Sequence, residues 1–428
     1  MPTLLRRRRL SLFALTLLVG LGISSWVTRT PAIRDAVDAS TAGMGIILFG
    51  LSVGSMAGVL TAGRLVRRYG ARPVAIVGTA LVVAGVAVVA LAAAAATAAL
   101  VFAGLLLVGL GGGLGEIALN IEAAAIESAT GASVLPVLHG CFSLGTVVGA
   151  LAGIALTATD FPVVWHLLAV TVVMAGLAAW AFPGLPAGTG QASRATDGAT
   201  ADRATADRAT ADRATADRAT VDRATARRPS VWRDSRLRLV GVVVLAMAFA
   251  EGSANDWLPL LMVDGHGVSA TSGSLVYAGF ALAMTVGRFA GGPIVTRFGR
   301  ATVLSVSAVA GAVGVAGAAY APDPVLAGVA VALWGLGASL GFPVAISAAG
   351  DDPERGAERV SAVATSGYLA FLVGPPLLGF VGEHAGLRQA MVVVIALLIV
   401  AAVAARGARP APARARADVP ESTGHRAG

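Results

Sequence analysis

The sequence predicts an all-α membrane protein of twelve transmembrane helices, arranged as two six-helix bundles related by pseudo-two-fold symmetry. Three observations predict it: the composition, the spacing of apolar runs, and a loop that occurs twice. Of 428 residues, 56% are hydrophobic and 13% charged, with a mean hydropathy of +0.78; a soluble domain carries about a quarter charged residues. A bilayer core is crossed by a helix of about 20 apolar residues. The third observation is that Gly63-Arg-Leu-Val-Arg-Arg-Tyr-Gly-Ala-Arg72, after the second run, is matched by Gly292-Pro-Ile-Val-Thr-Arg-Phe-Gly-Arg300, after the eighth. Gly63 pairs with Gly292, Arg68 with Arg297 and Gly70 with Gly299 at one constant offset, which reads as a duplicated six-helix unit.

In the first half, apolar runs occupy 10–28, 41–64, 73–95, 98–124, 134–158 and 161–182. The first follows Arg6 to Arg9, an order that can open a signal peptide, but no small-x-small cleavage site comes next. Trp26 and Arg29 follow instead, so the run is read as a retained span. Gly109 to Gly115 lie inside the fourth run with no strand before them, as packing glycines rather than a phosphate cradle. Gly145, Gly149 and Gly153 form a stripe on the fifth that suits close helix packing. The second half gives 239–262, 273–295, 301–320, 325–349, 359–380 and 387–405, with Gly374-Pro-Pro376 as an expected kink in the eleventh span.

Between the halves, Ala199-Thr-Ala-Asp-Arg203 repeats in tandem to Arg218 and continues in degenerate form to Arg228. A five-residue period matches neither a helix face nor a strand and offers nothing to bury. The domain reading is therefore a bundle at 1–182, a cytoplasmic disordered linker at 183–238, a bundle at 239–405 and a cytoplasmic tail at 406–428. With the N-terminus inside, alternation places Arg6 to Arg9, Arg64, Arg67, Arg68, Arg72, Arg297, Arg300, Arg355 and Arg359 in the cytoplasm. Only Arg29, Arg34 and Arg388 fall outside. This asymmetry predicts a multi-pass protein of the cell membrane with both termini cytoplasmic.

Composition also excludes function classes. The chain has no Lys, so it holds no P-loop, and an ATP-driven pump would need a separate ATPase subunit. The net charge of +8 is not interleaved with aromatic residues, which argues against nucleic acid. Cys141 is alone, and no second His or Cys stands at ligand spacing from His139, so neither a disulfide nor a metal or other cofactor is expected.

The paired loops resemble the Gly-x-Leu-x-Asp-Arg-x-Gly-Arg-Arg signature of the major facilitator superfamily, whose loop Asp is Arg67 in the first copy here and Thr296 in the second. A narrower resemblance is to the fucose-permease-like branch of proton-coupled sugar symporters. It rests on Gly115-Glu-Ile-Ala-Leu-Asn120, Ala250-Glu-Gly-Ser-Ala-Asn-Asp-Trp-Leu258, Gly287-Arg-Phe-Ala-Gly-Gly292 and Gly341-Phe-Pro-Val-Ala-Ile-Ser347. Uncharacterised bacterial inner-membrane members of that branch resemble Trp26-Val-Thr-Arg-Thr-Pro-Ala-Ile-Arg-Asp35. The fucose permease carries an Asp on its first helix; the first carboxylate here is Asp35. The resemblance implies the major facilitator fold and a proton-coupling role for Glu116. It also places a polar substrate-site residue at His139.

Glu116 and Asn120 are four apart and share a helix face deep in the fourth span, and Asn120 is read as substrate-binding. A carboxylate there is costly unless protonated, paired or facing water; the two readings are a proton site and a hydrogen-bonded structural acid. Glu122 and Glu127 lie nearer the cytoplasmic end, at headgroup level. Glu251 is about 12 residues past Leu239, hence roughly 18 Å into a core of roughly 30 Å. Asn255 shares its face, whereas Asp256 points elsewhere. Glu251 and Asn255 are read as substrate-binding, with an ion pair between Glu251 and Arg288 as the alternative. Trp26 and Arg29 offer an aromatic face and a cation to a substrate, or an ordinary interfacial anchor. Arg68, Gly70, Arg288, Arg297 and Gly299 are structural or gating candidates. The functional expectation is a secondary active transporter, not an enzyme. It would move a small polar solute by proton-coupled symport and alternating access, as a monomer in the bilayer. A proton-driven exporter of a small metabolite or drug and a non-transporting sensor are the alternatives.

Overall fold

The computed structural model describes residues 2–130, 134–191, 230–352 and 355–409. The first half comprises α1 (Pro2–Val27), a short α2 (Thr30–Ala36), α3 (Thr41–Tyr69), α4 (Ala71–Ala94), α5 (Ala98–Thr130), α6 (Leu135–Thr157) and α7 (Val163–Ala181). The second comprises α8 (Ser235–Leu260), α9 (Ala270–Phe298), α10 (Arg300–Tyr320), α11 (Pro324–Ser339), α12 (Gly341–Ala349), α13 (Gly356–Ala385) and α14 (Leu387–Ala404). Taken with α11 and α12 as one interrupted span, 12 helices are long and apolar enough to cross a membrane. No strand occurs among the described residues.

The duplication is visible in how helices start and stop. Ser40 caps α3 by accepting a hydrogen bond from the Gly43 amide, and Ser269 caps α9 by accepting one from Ser272, at the offset that relates Gly63 to Gly292. Gly70 (φ +90°) and Gly299 (φ +77°) end α3 and α9 and pass at once into α4 and α10, a conformation that glycine adopts without steric cost. Beside them, Arg68 and Arg297 lie over the Tyr69 and Phe298 rings at 5.2 and 5.3 Å.

Close packing follows the glycines. A Cβ on Gly145 or Gly149 of α6 would collide with Leu17 or Leu21 of α1, and one on Gly153 with Thr28 just past its end, as the stripe predicts. Gly54 and Gly109 interlock α3 with α5 in the same way, and Gly111 does so with Gly78 of α4.

Several boundaries differ from the sequence expectation. The first helix begins at Pro2, because Arg8 is anchored: its Nε donates to Glu122 at 2.5 Å, and Arg9 reaches the Thr130 hydroxyl at 3.1 Å. Glu122 is therefore a buried partner, 2% exposed, and not a headgroup-level residue. Glu127 accepts from the Val134 and Leu135 amides at the start of α6. The expected linker is ordered at both ends: the Ala71 amide donates to the Thr189 carbonyl, and α8 begins at Ser235 behind an Asp234 cap. The pentapeptide repeats lie outside the described residues, as does the tail beyond 409. The tenth span breaks at Leu340, and α8 ends in a π turn over Leu261–Gly265. The eleventh span, α13, contains Pro375 and Pro376 within one helix.

The halves meet at the end of the molecule opposite the arginine-rich loops. Backbone approaches backbone where Gly45 of α3 faces Gly379 of α13. The Ser274 hydroxyl donates to the Thr28 carbonyl at 2.9 Å, and the Ala42 amide to Glu383 at 3.0 Å. Arg34 on α2 pairs with both Asp35 and Asp264. Burial alone would lower the Arg34 pKa; the hydrogen bonds to the two carboxylates outweigh it and raise it. Toward the arginine-rich end the halves part and leave a cavity.

Candidate functional site

The cavity has a volume of about 890 Å³ and is walled by both halves. From the first half come Ser52 and Ser55 of α3, Glu116 of α5 and His139 of α6; from the second, Glu251 of α8, Arg288 of α9 and Phe342 of α12. Arg300, at the start of α10, lines it at the arginine-rich end. A deeper pocket of about 230 Å³ continues toward the closed end, bordered by Trp26, Asn255, Asp256 and Tyr277. Ser52, Ser55, Glu251, Arg288 and Phe371 border both. The Ser52 hydroxyl donates to the Phe371 carbonyl at 2.7 Å, tying the two halves together at that level.

Glu116 is exposed to the cavity, and no hydrogen bond or ion pair to its carboxylate occurs among the described residues. The hydrogen-bonded structural acid is therefore not what the geometry shows. His139 stands on the facing helix. Its Nδ1 lies 2.8 Å from the Leu135 carbonyl, which can only accept, so Nδ1 carries the proton and Nε2 is left for the cavity. Asn120, one turn further along α5, is partly buried and does not line the cavity.

Glu251 and Arg288 form the ion pair that was the alternative reading, Nη2 to Oε1 at 2.9 Å, at the junction of the two pockets. The pair does not remove Glu251 from the wall; it gives the wall a neutral, polar element. Asn255 accepts from the Tyr277 hydroxyl at 3.4 Å and lines the deep pocket, as its shared face with Glu251 requires. Asp256 does not point elsewhere. It borders the same pocket, because the hollow wraps far enough round α8 to take in positions roughly 140° apart, at 3.6 residues per turn.

Trp26 is 1% exposed and lines the deep pocket, with no partner for its indole nitrogen. Arg29 is not in the cavity. The chain turns between α1 and α2 and swings the guanidinium into its own half, where it donates to His166 Nδ1 at 3.1 Å and to the Phe161 carbonyl at 2.9 Å. Arg68, Gly70, Arg297 and Gly299 all sit at the two equivalent helix turns, away from the cavity wall. Sequence reasoning missed Tyr277, one of only four tyrosines and placed inside an apolar span, and the Ser52 and Ser55 pair at helical spacing. Among the described residues no group of three His, Cys, Asp or Glu side chains could hold a metal ion.

The sequence matches the model of the Major Facilitator Superfamily over residues 12–364 and again over 240–427. The chain belongs to the major facilitator superfamily. It is thus a multi-pass membrane protein of a transporter family. An uncharacterised transporter of this type from Yersinia pestis is 28% identical over 390 residues, covering 91% of this chain and 92% of that protein. Among solved structures, the nucleoside transporter NupG, as a point mutant, superposes with a TM-score of 0.72 at 15% identity, covering 94% of this chain and 99% of that one. The E. coli fucose:proton symporter FucP, named for the branch that the sequence resembles, superposes with a TM-score of 0.60 at 17% identity over 94% and 98% of the two chains. At such identities these likenesses concern the fold. In the superfamily's architecture the cavity lies between the two bundles, and here too residues of both halves wall it.

Proposed function

We propose that this protein is a proton-coupled symporter of a small polar solute, working by alternating access in the cell membrane with both termini in the cytoplasm. Under that orientation the arginine-rich end is cytoplasmic, and the structure is closed outside and open inside. One observation carries the coupling: Glu116, far from either end of a helix long enough to cross a membrane, presents to the cavity a carboxylate with no partner among the described residues. An unpaired charge is costly there, so taking up a proton and giving it to water on one side only is its cheapest cycle. The facing His139 is a second group able to exchange protons with it. The likeness to a fold neighbour whose printed name is a fucose:proton symporter supports the reading.

The test uses proteoliposomes, a mixed metabolite library and an imposed pH gradient. The wild-type protein accumulates its solute only with the gradient. Glu116→Gln keeps the shape and hydrogen bonding of the side chain but cannot carry a proton. It should retain exchange of solute without the gradient and lose accumulation by tenfold or more. Undiminished gradient-driven accumulation in that variant would remove Glu116 from the coupling role.

A further inference from the structure

The proposed function leaves the solute's chemistry open, and the charges facing the cavity narrow it. Three carboxylates border the two pockets, Glu116, Glu251 and Asp256, with Arg288, Arg300 and His139 as the basic groups. Arg288 is taken by Glu251. Arg300 is taken by Asp351, its Nη1 lying 2.6 and 2.5 Å from the two carboxylate oxygens. Glu116 and Asp256 remain, with only His139 to offset them. An anionic solute would meet two carboxylates and no free guanidinium, and like-charge juxtaposition of this kind is strongly disfavoured at low dielectric.

Asp256 has surroundings of its own. It borders the deep pocket without a hydrogen bond or ion pair among the described residues, and Tyr277, its neighbour, spends its hydroxyl on Asn255. Four aromatic side chains, Trp26, Phe142, Tyr277 and Phe371, share the remaining wall with aliphatic and hydroxyl-bearing side chains. A carboxylate beside aromatic rings attracts an ammonium group by charge, and the ring quadrupoles add to that attraction.

We propose that the deep pocket selects a small cationic solute, holding its ammonium group at Asp256 beside the aromatic side chains of the wall. An amino alcohol or amino sugar has this chemistry, and its further hydroxyls would extend into the wider cavity past the Glu251–Arg288 pair. The proposal rests on reading the cavity as the transport site.

The experiment requires no knowledge of the natural solute. In a Cys141→Ser background, Ser143→Cys places a thiol on the wall of the deep pocket. It is labelled with trimethylammonium-ethyl and sulfonatoethyl methanethiosulfonate, and the rate ratio is divided by that of a free thiol in solution. The corrected ratio should favour the cation by tenfold or more, and Asp256→Asn should bring it below threefold. A corrected ratio below threefold with Asp256 in place, or one that Asp256→Asn leaves unchanged, overturns the proposal. Ethanolamine should slow the labelling more than ethylene glycol at equal concentration; equal slowing by the two, including none, also overturns it. The labelling needs neither a pH gradient nor transport. A failure here leaves proton coupling standing, and unaltered accumulation in Glu116→Gln leaves this result standing.

Discussion

The two halves are copies of one six-helix unit, yet they are built differently inside. Among the described residues of α1 to α7 no proline interrupts a helix interior, and α3, α5 and α4 are held together by glycines set against facing backbone: Gly54 on Leu106, Gly109 on Leu51, Gly111 on Gly78. The second half also has a glycine seam, where Gly337 of α11 meets Gly311 of α10. Its other helices carry Pro259, Pro293, Pro375 and Pro376 in their interiors, a π turn after α8 and a break between α11 and α12. Each proline removes a backbone hydrogen bond, and π turns and breaks give up regular pairing, so bending there costs little. Backbone seams without intervening side chains have no such slack. The contrast implies that the first half moves as a block and that shape change is absorbed by the second, where the cavity wall includes the broken tenth span.

The largest expected effect comes from spoiling a seam. In Gly54→Val the new side chain presses on the Leu106 carbonyl, and overpacking of this kind costs about 1–3 kcal/mol or more. Folded yield and melting temperature in detergent should fall sharply, whereas Gly279→Ala in α9, with no neighbour near its Cβ position, should change neither. Equal losses would erase the contrast. A middling effect is expected from Pro376→Ala, which restores a hydrogen bond to α13. A proline in a helix interior is about 3 kcal/mol less favourable than alanine, so melting should hold or rise while the transport rate falls a few-fold. A drop in melting comparable to that of Gly54→Val would show that the second half is as unforgiving as the first. The smallest effect belongs to Arg34→Gln. A partly exposed pair contributes about 1 kcal/mol or less, so spin-label distances across the closed end should show a shift toward opening of about fivefold or less. High salt should mimic it in the wild type. If the distances do not move, the Gly45–Gly379 contact alone holds that end.

How far the sequence could be read follows from the same physics. Twelve spans, the duplicated turns and the packing role of Gly145, Gly149 and Gly153 were legible, because hydropathy and small-residue spacing act along one helix at a time. Glu116, His139, Glu251 and Asn255 line the two pockets, a setting that an ionisable or amide group deep in a span favours because it has few other stable ones. What failed depended on a second element. Arg29 turns toward His166 because the chain reverses after α1, Asp256 faces the pocket because neighbouring helices curve round α8, and Glu122 is buried because Arg8 continues α1 down to meet it. The choice between substrate contact and ion pair for Glu251 turned on the reach of Arg288 from α9, which spacing within α8 does not contain.

The contact at Arg34 has a consequence for arrival at the molecule from outside. Asp35 and Asp264 occupy equivalent places in the two copies, at the offset that relates Gly63 to Gly292, but only the first copy supplies the arginine; its counterpart is Val263. One cation thus serves two anions, and it belongs to the first half. If the halves part at this end, as the proposed alternating access requires, Arg34 goes with Asp35 and Asp264 on the opposite lip loses its ion-pair partner. Opening therefore changes the field at the mouth as well as its width. In such a cycle the rim would attract cations while the passage is open, raising their local concentration at the entrance, and would be neutralised again on closure.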